Sequence, residues 1–277
     1  MSHRRSSMSL TQAHEETDMT ATALVILADA DNTLWDTDAV FAKAQLVLLA
    51  QVELTVGIQL SSENRLEFVR AYDQALAARH HLHLKYPPQM LVSALAAGLR
   101  STTPDAAATA IIGGDTALSN LDSGAIEAAI SAYLNALRET PSMLPTVVQG
   151  IHLAQHPNVA LYVMTEGRVD KQRGIVTAHG LNNDIAGVWE LTKDRAQFER
   201  LRRRFEGSTV VVIGDQPDRD IIPATQAGCL AVLVPSRFRP KWQKTDDWAA
   251  ASYVASDFAE AIRWGLAKAP CAIEQPQ

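Results

Sequence analysis

The sequence predicts an α/β protein, a parallel sheet with helices on both faces that carries a separate helical insertion. Three observations predict it. Residues 24–28, 159–164 and 209–213 are apolar runs without a polar break, the pattern of strands buried on both faces. From about Thr140 onward such runs alternate with helix-length stretches, which implies right-handed βαβ units and a parallel sheet. Between the first run and the second lie residues 39–139, Ala-rich and helical in pattern, with no strand signal.

The first strand ends in Asp29-Ala30-Asp31-Asn32-Thr33-Leu34. Residues 40–56 are apolar and helix-prone. A second helix is expected over 61–80, with Leu66, Val69, Tyr72 and Leu76 on one face. Pro88 suits the first position of a third helix. Thr103-Pro104 reads as a cap followed by proline for a fourth, and Asp122 can cap a fifth that ends near Glu139-Thr140-Pro141. The expected division is a polar tail without a fixed fold over 1–22, a core formed by 23–38 and 140–277, and a helical domain over 39–139. Within the core, helices are expected at 146–156, 168–179, 194–205 and 258–266, the second closed by Gly180. Strands are expected at 159–164, just before Lys193, from Thr209 and from Leu230.

An apolar share of 47% and a charged share of 20% are ordinary for a globular chain, and 277 residues can bury a substantial core. A net charge of −6 gives no electrostatic case for nucleic acid or an anionic membrane as partner. No apolar stretch reads as a membrane span. Cys229 and Cys271 form neither a metal-ligand spacing nor a disulfide framework, and Cys229 reads as a small packed hydrophobe. Arg4-Arg5 is followed by no apolar segment, so the N-terminus does not read as a signal peptide, and a cytoplasmic location is expected.

The chemistry-bearing residues sit where strands end, and in open α/β sheets ligands bind at the carboxyl ends of strands. A carboxylate there, Asp29, can act as a nucleophile. A second, Asp31, suffers like-charge repulsion that favours its protonated form, which suits proton donation to a leaving group. Carboxylate oxygens of this kind also suit Mg²⁺. Thr165 follows the second run and offers a hydroxyl to a phosphoryl oxygen. Lys193 offers a cation to developing negative charge. Gly214-Asp215-Gln216-Pro217-Asp218-Arg219-Asp220 follows the 209–213 run with three acids. The ordered set is the parts list for phosphoryl transfer through a phosphoaspartate with a metal ion.

The four segments resemble, residue by residue, the motifs of the haloacid dehalogenase-like hydrolase superfamily: Asp29-Ala30-Asp31-Asn32-Thr33, Thr165, Lys193, and Gly214-Asp215 with Asp220. The acid at position 31 resembles the phosphatase branch, since dehalogenases carry a non-acidic residue there. The resemblance implies a Rossmann-like core and a helical cap inserted after the first strand. It implies a Mg²⁺-dependent phosphomonoesterase acting on a small phosphorylated metabolite. Asp29 would be the nucleophile and Asp31 the acid and base. Thr165, Glu166 and Lys193 would meet the substrate. Asp29, Asp31 through its main-chain carbonyl, Asp215 and Asp220 would form the metal site or its surroundings. Asp218 is the alternative to Asp220 as the closing acid. A phosphomutase, and a non-enzymatic phosphoacceptor or binding protein, are the competing functions.

Four further features compete for attention. His80-His81-Leu82-His83 has no additional ligand paired with it and reads as a solvated helix end. Arg202-Arg203-Arg204 reads as a solvated face, with Glu199 placed to pair with Arg203. The stretch from Arg237 to Trp242 mixes basic and aromatic residues and reads as a surface loop. Phe41, Phe68, Tyr72 and Tyr86 could stack on a base, but their helical spacing reads as core.

Overall fold

The structure, a computed structural model, describes residues 22–81, 86–115, 121–237 and 245–269. Its centre is β1 (Leu24–Asp29), in which all six residues are buried. β1 lies between β2 (Val159–Thr165) and β4 (Thr209–Gly214). β3 (Gly187–Glu190) flanks β2, while β5 (Leu230–Leu233) and β6 (Tyr253–Val254) extend the other side, giving the parallel order β3-β2-β1-β4-β5-β6.

Because successive strand residues point to opposite faces, β1 feeds two cores. Leu24, Ile26 and Ala28 pack on one face with α6 (Val147–Ala154), α7 (Val169–Ala178) and α10 (Phe258–Leu266), through residues such as Ile151, Ile175 and Ile262. Val25 and Leu27 pack on the other with Phe198 and Leu201 of α8 (Arg195–Arg204) and Ala224 of α9 (Ile222–Gln226). This double burial is why the strands read as unbroken apolar runs.

Between β1 and α6 the described residues form α1 (Thr37–Val56), α2 (Arg65–Arg79), α3 (Pro88–Leu99), α4 (Pro104–Ile112) and α5 (Ser123–Ala136). They enclose an apolar core of their own around Leu48, Leu49, Leu76 and Leu95. The side chains of Asp36, Thr103 and Asp122 accept from the first-turn amides of α1, α4 and α5, which is where the caps were expected for the last two. α2 begins at Arg65, later than the expected 61. α1 corrects the expectation about membrane-length segments: at 20 residues and mean hydropathy 1.5 it is long and apolar enough to cross a membrane. Its composition has a local cause, because Leu48, Leu49 and Val52 are fully buried in the insert's core.

The two chain crossings between core and insert are tied together. The Asp36 amide donates to the Ser142 carbonyl at 2.8 Å, and the Leu144 amide to the Leu34 carbonyl at 2.9 Å. The N-terminal tail up to residue 21, most of 237–242, His83 and Cys271 lie outside the described residues. Cys229 is buried as expected, and burial pushes its thiol up to about 11.

Candidate active site

The strand order reverses on either side of β1, and the site gathers at the carboxyl ends of β1, β2 and β4 around that switch. Asp29 closes β1 and is 5% exposed. The Lys193 ammonium donates to Asp29 Oδ1 and, at 2.6 Å, to Asp220 Oδ1. The Thr33 hydroxyl donates to Asp29 Oδ2 at 3.4 Å. Asp220 is fully buried and its Oδ2 accepts from the Gln216 amide at 3.1 Å. Its neighbour in sequence, Asp218, is exposed. The closing acid of this cluster is therefore Asp220. A π-helical turn over Pro217–Ile221 aims it back under β4. Gly214 makes room for it, since a Cβ there would lie 2.3 Å from Asp220 Cγ.

Asp29, Asp215 and Asp220 offer carboxylate oxygens that all lie within 4.8 Å of one another. Burial pushes the Asp29 carboxyl up to about 7; Lys193 pulls against this, while the charges of Asp220 and Asp31 add to it. Burial, then the charges of Asp29 and Asp220, hold the Asp215 carboxyl well above the ordinary carboxylate range. Burial works against the charge of Lys193, but Asp220 and Asp29 outweigh it and raise its pKa, so the ammonium persists.

The cluster fits a divalent cation. Asp215 Oδ1 is buried without a hydrogen-bond partner, an orphan acceptor on one of the three acids. Three carboxylates against one ammonium leave the ionised site with negative charge to neutralise, and hard oxygen donors are what Mg²⁺ takes. Asp220 is the least free of the three, since both its oxygens already accept from protein donors.

Thr165 ends β2, is 1% exposed, and its Oγ accepts from the Gly167 amide at 2.9 Å, which leaves the hydroxyl proton to be donated elsewhere. Glu166 follows Thr165 at the end of β2 and is bonded within the protein. Its carboxylate accepts from the Lys193 amide at 3.2 Å and pairs with Arg219 at 2.6 Å, so it braces the Lys193 loop against the π-helical turn. Asp31 lies outside the three-acid cluster. Its carboxylate accepts from the Thr37 hydroxyl at 2.7 Å and from the Gln172 amide at 3.2 and 3.1 Å. Thr37 and Gln172 were not foreseen: one carries only the signal of a helix start, the other none.

The model of the HAD-hydrolase-like family matches residues 194–261, a segment that holds Gly214, Asp215 and Asp220. The fold is shared across nearly the whole chain with solved structures. One is a haloacid dehalogenase-like hydrolase from Xanthomonas campestris, at 14% identity and TM-score 0.56, covering 89% of this chain and 91% of that one. The chain shares the fold of that hydrolase. A second such structure is a candidate hydrolase of the same superfamily from Bacillus subtilis, bound to magnesium, at 17% identity and TM-score 0.54, covering 87% of this chain and 98% of that one. A third is a predicted phosphoglycolate phosphatase from Haemophilus somnus, at 15% identity and TM-score 0.55, covering 89% and 99%. No curated protein matches the sequence.

A cleft of about 390 Å³ opens beside the loop that follows β1, between Asn32, Thr33 and Asp38 on one side and Pro235, Ser236 and Arg237 on the other. A larger hollow, of about 730 Å³, lies elsewhere, on the insert among Leu46, Arg65 and Gln74. Among the described residues the acids at the strand ends are the one group of three metal-capable side chains. His80 is buried rather than solvated, its ring 4.4 Å from that of His81 and 6.2 Å from that of Tyr86. Arg202, Arg203 and Arg204 are exposed as expected, but Glu199 pairs with Arg195 at 2.7 Å instead of Arg203. Tyr72 and Tyr86 are buried as core, whereas Phe41 is 42% exposed.

Proposed function

We propose that the chain is a Mg²⁺-dependent phosphomonoesterase that works through a phosphoaspartate on Asp29. The observation that carries this reading is the Asp29 carboxylate at the tip of the central strand, clamped by Lys193 and set within 4.8 Å of a carboxylate oxygen of Asp215. A carboxylate so placed is buried, oriented and paired with a cation that will meet the charge of an arriving phosphoryl group.

In the first half-reaction an Asp29 oxygen attacks phosphorus as the ester P–O bond breaks. The electron pair stays on the departing oxygen, which takes a proton from Asp31. In the second, Asp31 takes a proton from water, the water oxygen attacks phosphorus, and the Asp29–phosphorus bond breaks to release inorganic phosphate. Lys193 and the Thr165 hydroxyl hold the phosphoryl oxygens. Asp29, Asp215 and the main-chain carbonyl of Asp31 are the groups that would hold Mg²⁺, which would supply positive charge to offset the negative charge of the phosphoryl group. The insert, residues 39–139, acts as a cap that excludes water and meets the leaving group, and the cleft at Asp38 and Arg237 admits a small phosphorylated metabolite. The name of the Haemophilus somnus neighbour fits a substrate of that class.

The test is inorganic phosphate release from a panel of sugar phosphates, nucleoside monophosphates and other small phosphomonoesters, with Mg²⁺ and with a chelator. Release that depends on Mg²⁺ is expected. Isomerised phosphate ester in place of free phosphate would favour a phosphomutase, and neither product would favour a binding role.

A further inference from the structure

We infer that Gln172 is the positioning residue that aims Asp31 at the leaving group, and that Trp35 in turn fixes Gln172. The inference rests on the phosphomonoesterase reading, in which Asp31 must deliver a proton along one direction. The bond that turns a carboxyl group about its Cβ joins an sp³ to an sp² carbon, and such torsions are broad. Something outside Asp31 has to set its plane.

Gln172 lies on α7, in the core rather than the insert, and is 2% exposed. Its amide nitrogen reaches both Asp31 oxygens, at 3.2 and 3.1 Å, so it straddles the carboxyl group instead of pinning one end. Trp35, fully buried, donates from its indole nitrogen to Gln172 Oε1 at 2.8 Å. An indole N–H can only donate, so the carbonyl oxygen of Gln172 must face Trp35 and its NH₂ must face Asp31. The amide orientation is therefore dictated by donor and acceptor chemistry on both sides. Trp35 is itself held: its ring stacks on that of His179 at 5.9 Å, and the His179 Nε2 is 2.9 Å from the Pro141 carbonyl at the second chain crossing.

Asp31 consequently has two supports on different parts of the molecule, Thr37 on the first helix of the insert and Gln172 on the core. Removing the core support frees the carboxyl to rotate while leaving Asp29, Asp215, Asp220 and Lys193 untouched. The loss falls on the step that needs a directed proton, which is departure of a poor leaving group.

The experiment compares kcat/KM of wild type, Q172M and W35F on two substrates with Mg²⁺ present: an alkyl phosphate and p-nitrophenyl phosphate, whose phenolate leaves without help. Because kcat/KM ends at the first irreversible step, it isolates leaving-group departure from the later hydrolysis of the phosphoaspartate. Q172M is expected to lose about tenfold or more on the alkyl phosphate and far less on p-nitrophenyl phosphate. W35F keeps Gln172 but removes the donor that orients it, so the same selectivity is expected with a smaller loss. Equal losses on the two substrates, or no loss on either in folded variants, would overturn the inference. Should Q172M fail to fold, W35F decides by the same criterion. Wild-type protein inactive on both substrates, or D29N active on either, defeats the phosphomonoesterase reading itself and takes this inference with it.

Discussion

Lys193 sits between two carboxylates, Asp29 and Asp220, and its charge is what lets both stay buried. Asp29 keeps a trace of exposure, while Asp220 is fully enclosed and accepts from the lysine. The fit of Asp220 depends on a missing side chain. Gly214→Ala would place a Cβ 2.3 Å from Asp220 Cγ and 2.4 Å from its Oδ2. Asp220 would have to move and Lys193 with it. We expect the variant to fold and to lose on the order of 10²-fold in kcat/KM, the scale that a misplacement of about 1 Å costs; near-wild-type turnover would show that Asp220 does not set the lysine. Much at this scale was legible in the sequence, because Asp29, Asp31, Thr165, Lys193, Asp215 and Asp220 each follow an apolar run at a strand end. The pairing of Glu166 was not foreseen because its partner, Arg219, lies on a different loop that only the fold brings near. Gln172 was silent for the same reason: both its partners come from the first strand's loop, and a glutamine within a helix carries no local signal.

The elements were read where a boundary has chemistry of its own. Thr103 and Asp122 accept from the first-turn amides of the helices they were expected to open, and Pro88 is the first residue of α3. β6, two residues long, and α9, five residues long, are too short to show periodicity and owe their form to the sheet edge and the loop after Asp220. Within the insert, α2 and α3 approach closely because position 98 has no side chain. A Cβ on Gly98 would fall 2.4 Å from the Tyr72 ring, and Tyr72 is 4% exposed and cannot swing into water without leaving the core. Gly98→Ala should therefore destabilise the protein by about 1–3 kcal/mol, the cost of overpacking a filled core. Chemical denaturation measures it, and an unchanged midpoint would mean that the two helices can slide apart.

Across the whole molecule the acids tie stability to pH and to metal. The Asp29 carboxyl titrates at about 7 in the folded protein without metal, against an ordinary value of 3.8. Between those values the folded state keeps a proton that the unfolded chain has lost. The stability this group contributes is complete below the lower value and is lost as pH rises through about 7. Asp215 acts in the same sense. Mg²⁺ competes with those protons for the same oxygens, so its gain in Tm should be larger at about pH 8 than at about pH 5. Thermal melts with and without Mg²⁺ at both values check this, and equal gains would place the cation elsewhere. The division of labour, a sheet that presents the acids and an insert that carries its own core, was visible in sequence as unbroken apolar runs on either side of an Ala-rich helical stretch. In the proposed reaction Asp29 carries the phosphoryl group. The most direct measurement is rapid acid quench of the protein with Mg²⁺ and a turned-over phosphomonoester, followed by peptide mapping of the modified residue. An acid-stable, base-labile phosphoryl group on Asp29, absent from D29N, is expected. Phosphate release by D29N, or turnover with the phosphoryl group on any other residue, would contradict it.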